Sequence, residues 1–360
     1  MTRGEYIRKK ISENLDCGVK NAEIPGLGAG RRGKVRHVYR ATDNHGENIL
    51  IISTSDRVSA FDVVLDRTIP YKGAVLNAIA KWSFDQTKDI IPNALLNSPS
   101  AHIMIQRELT NIGFECVVRG YMWGALAADY ESGMRAKCGL ALEEGLWRYQ
   151  KLEPPLFTPT TKADNGHDLD VTFDQMAPSL QKHLAAKGIA ISGETLARKV
   201  RDVSFRLYQR GDGLAQRVGL SLVDTKYEFG VDEAGNLYLI DEIHTPDSSR
   251  YIEFADWQQK WPLIEEKMQT GNWSTVSELL RDQPAFKVKE LSKQLVRDVL
   301  LDRSFDPNLG EIPSLSDEDV VETSARYIEL YEKLTRQEFD FPAKENFHIR
   351  GHDSAETGFA

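Results

Sequence analysis

Cysteine is scarce in this chain. Its three cysteines, Cys17, Cys116 and Cys138, are odd in number and match neither a disulfide framework nor a zinc site, so a reducing, cytoplasmic setting is expected. Long apolar runs are missing as well. The longest, such as Ile49 to Ile52, fall far short of the about 20 residues that a membrane helix needs, and the N-terminus has no apolar segment of the secretory kind. No membrane association is expected. Nor is there an excess of basic residues: 45 Lys and Arg against 54 Asp and Glu give a net charge of -9, with pI ≈ 5.5. That balance excludes nucleic-acid coating while allowing a local basic pocket for small anions. Internal repeats and low-complexity tracts are absent too. What is present is 360 residues, 41% hydrophobic and 28% charged, which is enough for two or three domains.

The chain is organised around Val223 to Tyr251. Val223, Thr225, Tyr227 and Phe229 alternate with Asp224, Lys226 and Glu228, which predicts a strand with one apolar and one charged face. Gly230 and D-E-A-G-N supply a turn, and Leu237 to Ile243 reads as the returning strand of an antiparallel hairpin. Leu237 to Ile240 is apolar on both parities, so burial on both faces is expected up to Asp241 and Glu242. Acids placed there need a cation for company. Two carboxylates and a lysine beside a cleft suit Mg²⁺ bridging phosphate oxygens, since Mg²⁺ takes one or two carboxylates plus substrate phosphates. Thr245 to Arg250, T-P-D-S-S-R, follows as a turn whose hydroxyls and amides, Asp247 and Ser248 among them, point into one space. Arg250 adds a planar fork for a phosphate or carboxylate. Taken alone, the hairpin is equally a solvated charged surface and the turn an ordinary loop.

Upstream, Gly28 to Lys34 satisfies G-x-x-x-x-G-K, but Val35 lacks the hydroxyl of a P-loop. Val35, His37 and Tyr39 then alternate as in a strand, where a P-loop needs a helix. This predicts a glycine-rich hairpin, with Gly33, Lys34 and Arg36 over phosphates as in kinases; a flexible basic loop is the plain alternative.

D-T-K-Y-E-F-G followed by D-E-I-H-T-P-D-S-S-R-Y resembles the SAICAR synthetase (phosphoribosylaminoimidazole-succinocarboxamide synthase) family. Four further stretches carry the resemblance in the family's order: G-K-V-R-H-V-Y, S-D-R-V-S-A-F-D, V-V-R-G-Y and F-T-P-T-T-K-A. It implies an α+β, two-domain fold: residues 1–115 like a kinase small lobe with a glycine-rich phosphate loop, residues 116–360 like an ATP-grasp domain. Lys34 then contacts ATP phosphates, Ser59 and Asp62 line the imidazole nucleotide site, Asp56 and Arg57 are structural, and Arg119 takes the substrate phosphate. Lys162 is a phosphate or carboxylate ligand, and Asp168 a weaker one. Ala125 stands where the family leads one to expect serine, and Trp123 where it has a smaller residue. His244 reads as structural.

The implied reaction joins the carboxylate of carboxyaminoimidazole ribonucleotide (CAIR) to the amine of L-aspartate, cleaving ATP to ADP and phosphate through an acyl phosphate. Its cofactors are ATP and Mg²⁺, and its partners are small molecules, in a monomer or homo-oligomer. Glu228 and Asp241 hold the metal, Lys226 faces the reacting carboxylate and γ-phosphate, and Arg119, Asp247, Ser248 and Arg250 meet the substrate's anionic groups. A related ATP-dependent ligase or small-molecule kinase with another acceptor is the first alternative, and a nucleotide-binding regulatory protein the second.

The remainder is scaffold. Helices are expected near the N-terminus (Ile7, Ile11, Leu15), over 194–219 (Leu196, Val200, Val203, Leu207) with a weakening at Gly211 and Gly213, and after Ser316 (Val321, Ala325, Ile328, Tyr331). Pro154 to Asp168 reads as an irregular loop. Residues 253–289 read as a family-variable insertion, and 342–360 as a disordered tail.

Overall fold

The computed structural model describes residues 1–61, 63–162, 169–303, 305 and 313–343. Two antiparallel sheets lie behind one another in the chain. The first is built from Arg31–Arg32 (β1), Arg36–Thr42 (β2), Asn48–Thr54 (β3), Leu95–Ser100 (β6) and Ile103–Arg107 (β7), in the order β1-β2-β3-β7-β6. A separate hairpin, Arg57–Ala60 (β4) with Val63–Thr68 (β5), and the helix Lys72–Thr87 (α2) interrupt it. The second sheet contains Thr110–Tyr121 (β8), Lys151–Thr161 (β11), Leu220–Val231 (β12), Leu237–Ile240 (β13) and Ser249–Glu253 (β14). Its order is β11-β8-β12-β13, with β14 pairing the first half of β12. Between β8 and β11 come Gly124–Glu131 (α3) and a small hairpin, Ala136–Lys137 (β9) and Leu140–Ala141 (β10).

The chain changes sheets at residues 108–109, so the boundary expected after residue 115 falls inside β8. The closing helix Asp317–Thr335 (α9) returns to pack on Arg3–Ser12 (α1) and α2. Ile7 and Ile11 of α1 are thereby buried completely. Arg3 and Arg8 clasp α9 through Glu332, Glu322 and Glu329.

The hairpin read from the alternation is present: β12 pairs antiparallel with β13, Glu228 opposite Ile240. Tyr227 and Phe229 join Leu196, Val200 and Leu207 of the helix Gly193–Gln216 (α5) in the main core, which the helix Phe173–Ala185 (α4) extends. β13 is buried on one face only, since Tyr238 and Ile240 remain half-buried. α5 runs through Gly211 without a break. Glycine is needed there for space, because a Cβ would lie 2.5 Å from the His244 ring.

Of the proline-rich stretch read as a loop, Pro154 to Thr161 belongs to the strand β11, and residues 163–168 lie outside the described residues. The strand lies at the edge of its sheet, with β8 as its one partner strand among the described residues, where a missing N–H is tolerated. Residues 253–289 form Phe254–Thr270 (α6) and Val276–Asp282 (α7), anchored by Ile264, Met268, Val276 and Leu279 in a second apolar cluster with Tyr121 and Trp123. Gln294–Asp302 (α8) follows and packs through Val296 and Leu300 on Val58 and Ala60 of β4. Ser316 caps α9 in a capping box with Asp319, and Ala325 and Ile328 are buried, both as read; Val320, Ser324 and Tyr327 complete the buried face, while Val321 and Tyr331 are half-buried. No helix among the described residues is long and apolar enough to cross a membrane. Of the expected tail, residues 344–360 lie outside the described residues.

Candidate active site

The charged parity of β12 organises the site. Asp224, Lys226 and Glu228 follow one another on one face, about 6.7 Å apart at strand rise, and each meets partners from neighbouring elements.

At the centre, Lys226 Nζ donates to Glu115 Oε1 at 2.6 Å and to Glu228 Oε1 at 2.8 Å. Glu115 is the direct cross-strand neighbour of Glu228, so the lysine holds two facing carboxylates together. Burial disfavours its charge, but Glu228, Glu115 and Asp241 outweigh that and raise its pKa well above the usual value. Lys226 is therefore a fixed cation and not a base. The other oxygen of Glu228 accepts from Lys162 Nζ, which reaches in from the end of β11.

Beyond Glu228, Asp241 ends β13 in the left-handed region, φ +67°, a conformation that short polar side chains tolerate and others resist. The first sheet fixes it there. Gln106 of β7 donates from Nε2 to the Asp241 carbonyl at 2.8 Å and accepts the Asp241 N–H at 3.2 Å. Arg36 of β2 pairs with Asp241 and also with Glu242, 2.8 Å from Nη2 to Oε2. Burial pushes the Asp241 carboxyl up, yet Arg36, Lys226 and Lys162 bring it down to about 2. Its carboxylate is thus ionised throughout the physiological range.

At the opposite end of the face, Asp224 sits between two arginines. Arg250 Nη1 donates to Asp224 Oδ2 at 2.5 Å, and Arg119 Nη1 lies 3.6 Å from the same oxygen. Arg119 is oriented by Thr158, whose hydroxyl accepts from Nε at 2.9 Å. A third arginine, Arg297 of α8, has a buried Nε with no acceptor among the described residues, as has Arg36. Orphaned buried guanidinium donors suit an anionic ligand.

The turn after β13 is more structural than expected. Asp247 accepts from Lys72 Nζ at 2.6 Å and from Tyr327 Oη at 2.8 Å, tying α2 and α9 to the site. Burial would raise its pKa, but Lys72 and Lys293 push it well below the carboxylate range. Ser248 closes the turn on Thr245, with its N–H 3.1 Å from the Thr245 carbonyl. His244 is buried against α5, its Nε2 2.8 Å from Tyr227 Oη, and burial lowers its pKa to about 3. As the unfolded chain binds that proton near pH 6.5 and the folded one does not until about 3, stability falls as pH drops through that window. We expect the urea midpoint to decline between pH 6.5 and 4 and the decline to flatten in His244→Gln; an unaltered slope in the variant contradicts this.

In the glycine-rich hairpin, the Gly33 N–H donates to the Arg36 carbonyl at 2.7 Å, and Arg57 Nη2 donates to the Gly33 carbonyl at 3.1 Å. Lys34 is exposed at its tip. Asp56 is structural as read, accepting the N–H groups of Val19 and Gly73 at 2.8 and 2.7 Å. Ser59 is buried on β4, between Val58 and Ala60, which pack on α8. Asp62 and Asp168 lie outside the described residues.

The family model for SAICAR synthetase matches residues 30–273, more than half of the chain. The chain belongs to the SAICAR synthetase family. It is 40% identical over 325 residues to the phosphoribosylaminoimidazole-succinocarboxamide synthase of Cytophaga hutchinsonii, spanning 90% of this chain and 93% of that one. Among solved structures it is similar to the SAICAR synthase of Saccharomyces cerevisiae complexed with SAICAR, with a TM-score of 0.68, 26% identity, and 89% and 99% of the two chains covered. A SAICAR synthetase in complex with ADP, 19% identical over 87% of this chain and 100% of its own, shares the fold at a TM-score of 0.58. The match to the SAICAR synthetase family includes α6, so part of the stretch read as an insertion lies within the family's span.

Several charged groups of the site escaped sequence reasoning. Glu115 shares the parity of Arg119 on β8, and that alternation was its one signal. Lys293 and Arg297 are spaced i, i+4 around the start of α8, which places both on one helix face. Tyr327 had no signal of its own.

Proposed function

We propose that this chain condenses CAIR with L-aspartate to give SAICAR, ADP and phosphate, with the charged face of β12 as its working surface. The observation that carries this is the order along that face. Arginines gather at Asp224, a fixed lysine stands at Lys226, and carboxylates with further cations stand at Glu228 and Asp241. From Asp224 to Glu228 is about 13 Å at strand rise, a length suited to a ribonucleotide whose phosphate lies at one end and whose imidazole carboxylate lies at the other.

In this reading Arg119, Arg250 and Arg297 take the ribonucleotide phosphate. Lys226 holds the imidazole carboxylate against the γ-phosphate. Lys34, Lys162 and Arg36, with the amides of the Gly33 turn, receive the ATP phosphates. A carboxylate oxygen attacks the γ-phosphorus, ADP leaves, and the resulting acyl phosphate supplies the leaving group that a bare carboxylate lacks. The aspartate amine then attacks the acyl carbon, and phosphate and a proton depart. No protein nucleophile is needed, so catalysis rests on positioning and on cations facing the transferring phosphoryl.

Asp241 and Glu228 fit Mg²⁺ brought in with ATP. No group of three metal-ligating side chains forms among the described residues, and Mg²⁺ asks for only one or two carboxylates besides phosphate and water. Bound there, the ion would neutralise charge on the phosphoryl oxygens. The proposal further casts the first sheet as a kinase-small-lobe-like lid and the second as an ATP-grasp-like base, acting in the cytoplasm, where the three free thiols persist. Arg119→Ala tests the placement. Losing a charged hydrogen bond to phosphate raises KM for the ribonucleotide about 10–100-fold and leaves KM for ATP nearly unchanged, as steady-state kinetics would register; equal rises in both contradict it.

A further inference from the structure

Arg250 is held on three sides. Asp224 Oδ2 lies 2.5 Å from Nη1, Glu290 Oε1 lies 3.7 Å from Nε, and the guanidinium covers Gly124, where a Cβ would come within 2.7 Å of Nη2. Glu290 owes its place to backbone pairing. Residues 289–291 run beside β14, with Glu290 bridged to Ile252 and the Leu291 N–H donating to the Tyr251 carbonyl at 2.7 Å. Its side chain is then fixed by the Ser292 hydroxyl and by the Trp123 indole, whose Nε1 donates to Oε2 at 2.9 Å.

Trp123 is itself enclosed in the second apolar cluster. It is buried and packs against Tyr149, with ring centroids 4.1 Å apart and planes tilted by 37°. A rigid ring with a single N–H makes a directional donor. It stands immediately before Gly124 and Ala125, neither of which has a side-chain donor for the ligand that Arg250 faces.

The geometry points to Trp123 and Glu290 as positioning residues that set the Arg250 fork for the substrate's phosphate: the indole holds the carboxylate, and the carboxylate holds the guanidinium. Asp224 already serves Arg119. With Glu290 drawing on its Nε side, Arg250 does not collapse wholly onto that shared carboxylate, and both arginines keep donors for a ligand. The inference rests on the role given to Arg250 above.

The test is steady-state kinetics with W123F, E290A, their double variant and R250A. W123F keeps a ring on Tyr149 and loses only the donor. The expected result is a ribonucleotide KM raised about fivefold in W123F and about 20-fold in E290A, with kcat and the KM for ATP within about twofold of the parent. As Trp123 acts through Glu290, the double variant should match E290A alone; multiplied effects, an unchanged ribonucleotide KM in W123F, or an equal rise in the KM for ATP would overturn the inference. If W123F does not fold, E290Q decides: it still accepts the indole N–H but has no charge for Arg250, so its ribonucleotide KM should rise, and an unchanged value overturns the inference. R250A separates the two levels. An unchanged ribonucleotide KM in R250A, or no ribonucleotide-dependent turnover by the parent protein, refutes the reading of the site itself.

Discussion

Glu228→Gln is expected to lower turnover with Mg-ATP by on the order of 10²-fold and to raise the Mg²⁺ concentration at half-maximal rate. The glutamine keeps the volume and one acceptor for Lys226 or Lys162, so packing around the buried side chain is preserved. What disappears is the negative charge that balances two lysines and that a divalent cation would share. A magnesium titration of the initial rate checks this. An unchanged magnesium dependence would remove Glu228 from the metal site.

Lys226→Met is expected to act even more strongly, lowering kcat by on the order of 10²–10³-fold. It also destabilises the fold by about 3–5 kcal/mol near neutral pH, the usual consequence of stripping a partner from a buried ion pair. The pH dependence identifies the cause. Without the lysine, Glu115 and Glu228 face each other across the ladder with Lys162 as the remaining cation on Glu228, and the like charges favour uptake of a proton by the pair. A carboxyl whose folded pKa is raised contributes stability that is lost as pH climbs from its unfolded value to its folded one. The variant's deficit in urea midpoint should therefore be smaller at pH 5 than at pH 8. A deficit independent of pH, or a kcat within about threefold of the parent, contradicts the role assigned to the Lys226 cation.

The parts of the site written into one short stretch were legible. Alternation along β12 marks its two faces, and the turn residues mark the hairpin, because period and turn chemistry are local. Register is not local. Whether Asp241 joins the charged face depends on its left-handed backbone and on Gln106 and Arg36, which arrive from the other sheet. Nothing near residue 241 announces residue 36. The prolines of β11 misled for a related reason: composition records the missing N–H groups but not that the strand lies at an edge, where they are harmless. On α9 the apolar stripe predicted a face, but Tyr327 turns that face toward Asp247 through a hydroxyl that a hydrophobic pattern does not count. Family resemblance supplied what periodicity lacked at Arg119 and Lys162, two residues whose local sequences are unremarkable as strand and loop.

The measurement that bears most directly on the whole account is ADP release by the purified protein with Mg-ATP, supplying CAIR and L-aspartate together and each alone. Sustained release only with both, with SAICAR formed in equal amount, is the predicted result. Tight ATP binding without turnover on the pair would contradict it and would mean that the charged face of β12 serves another acceptor.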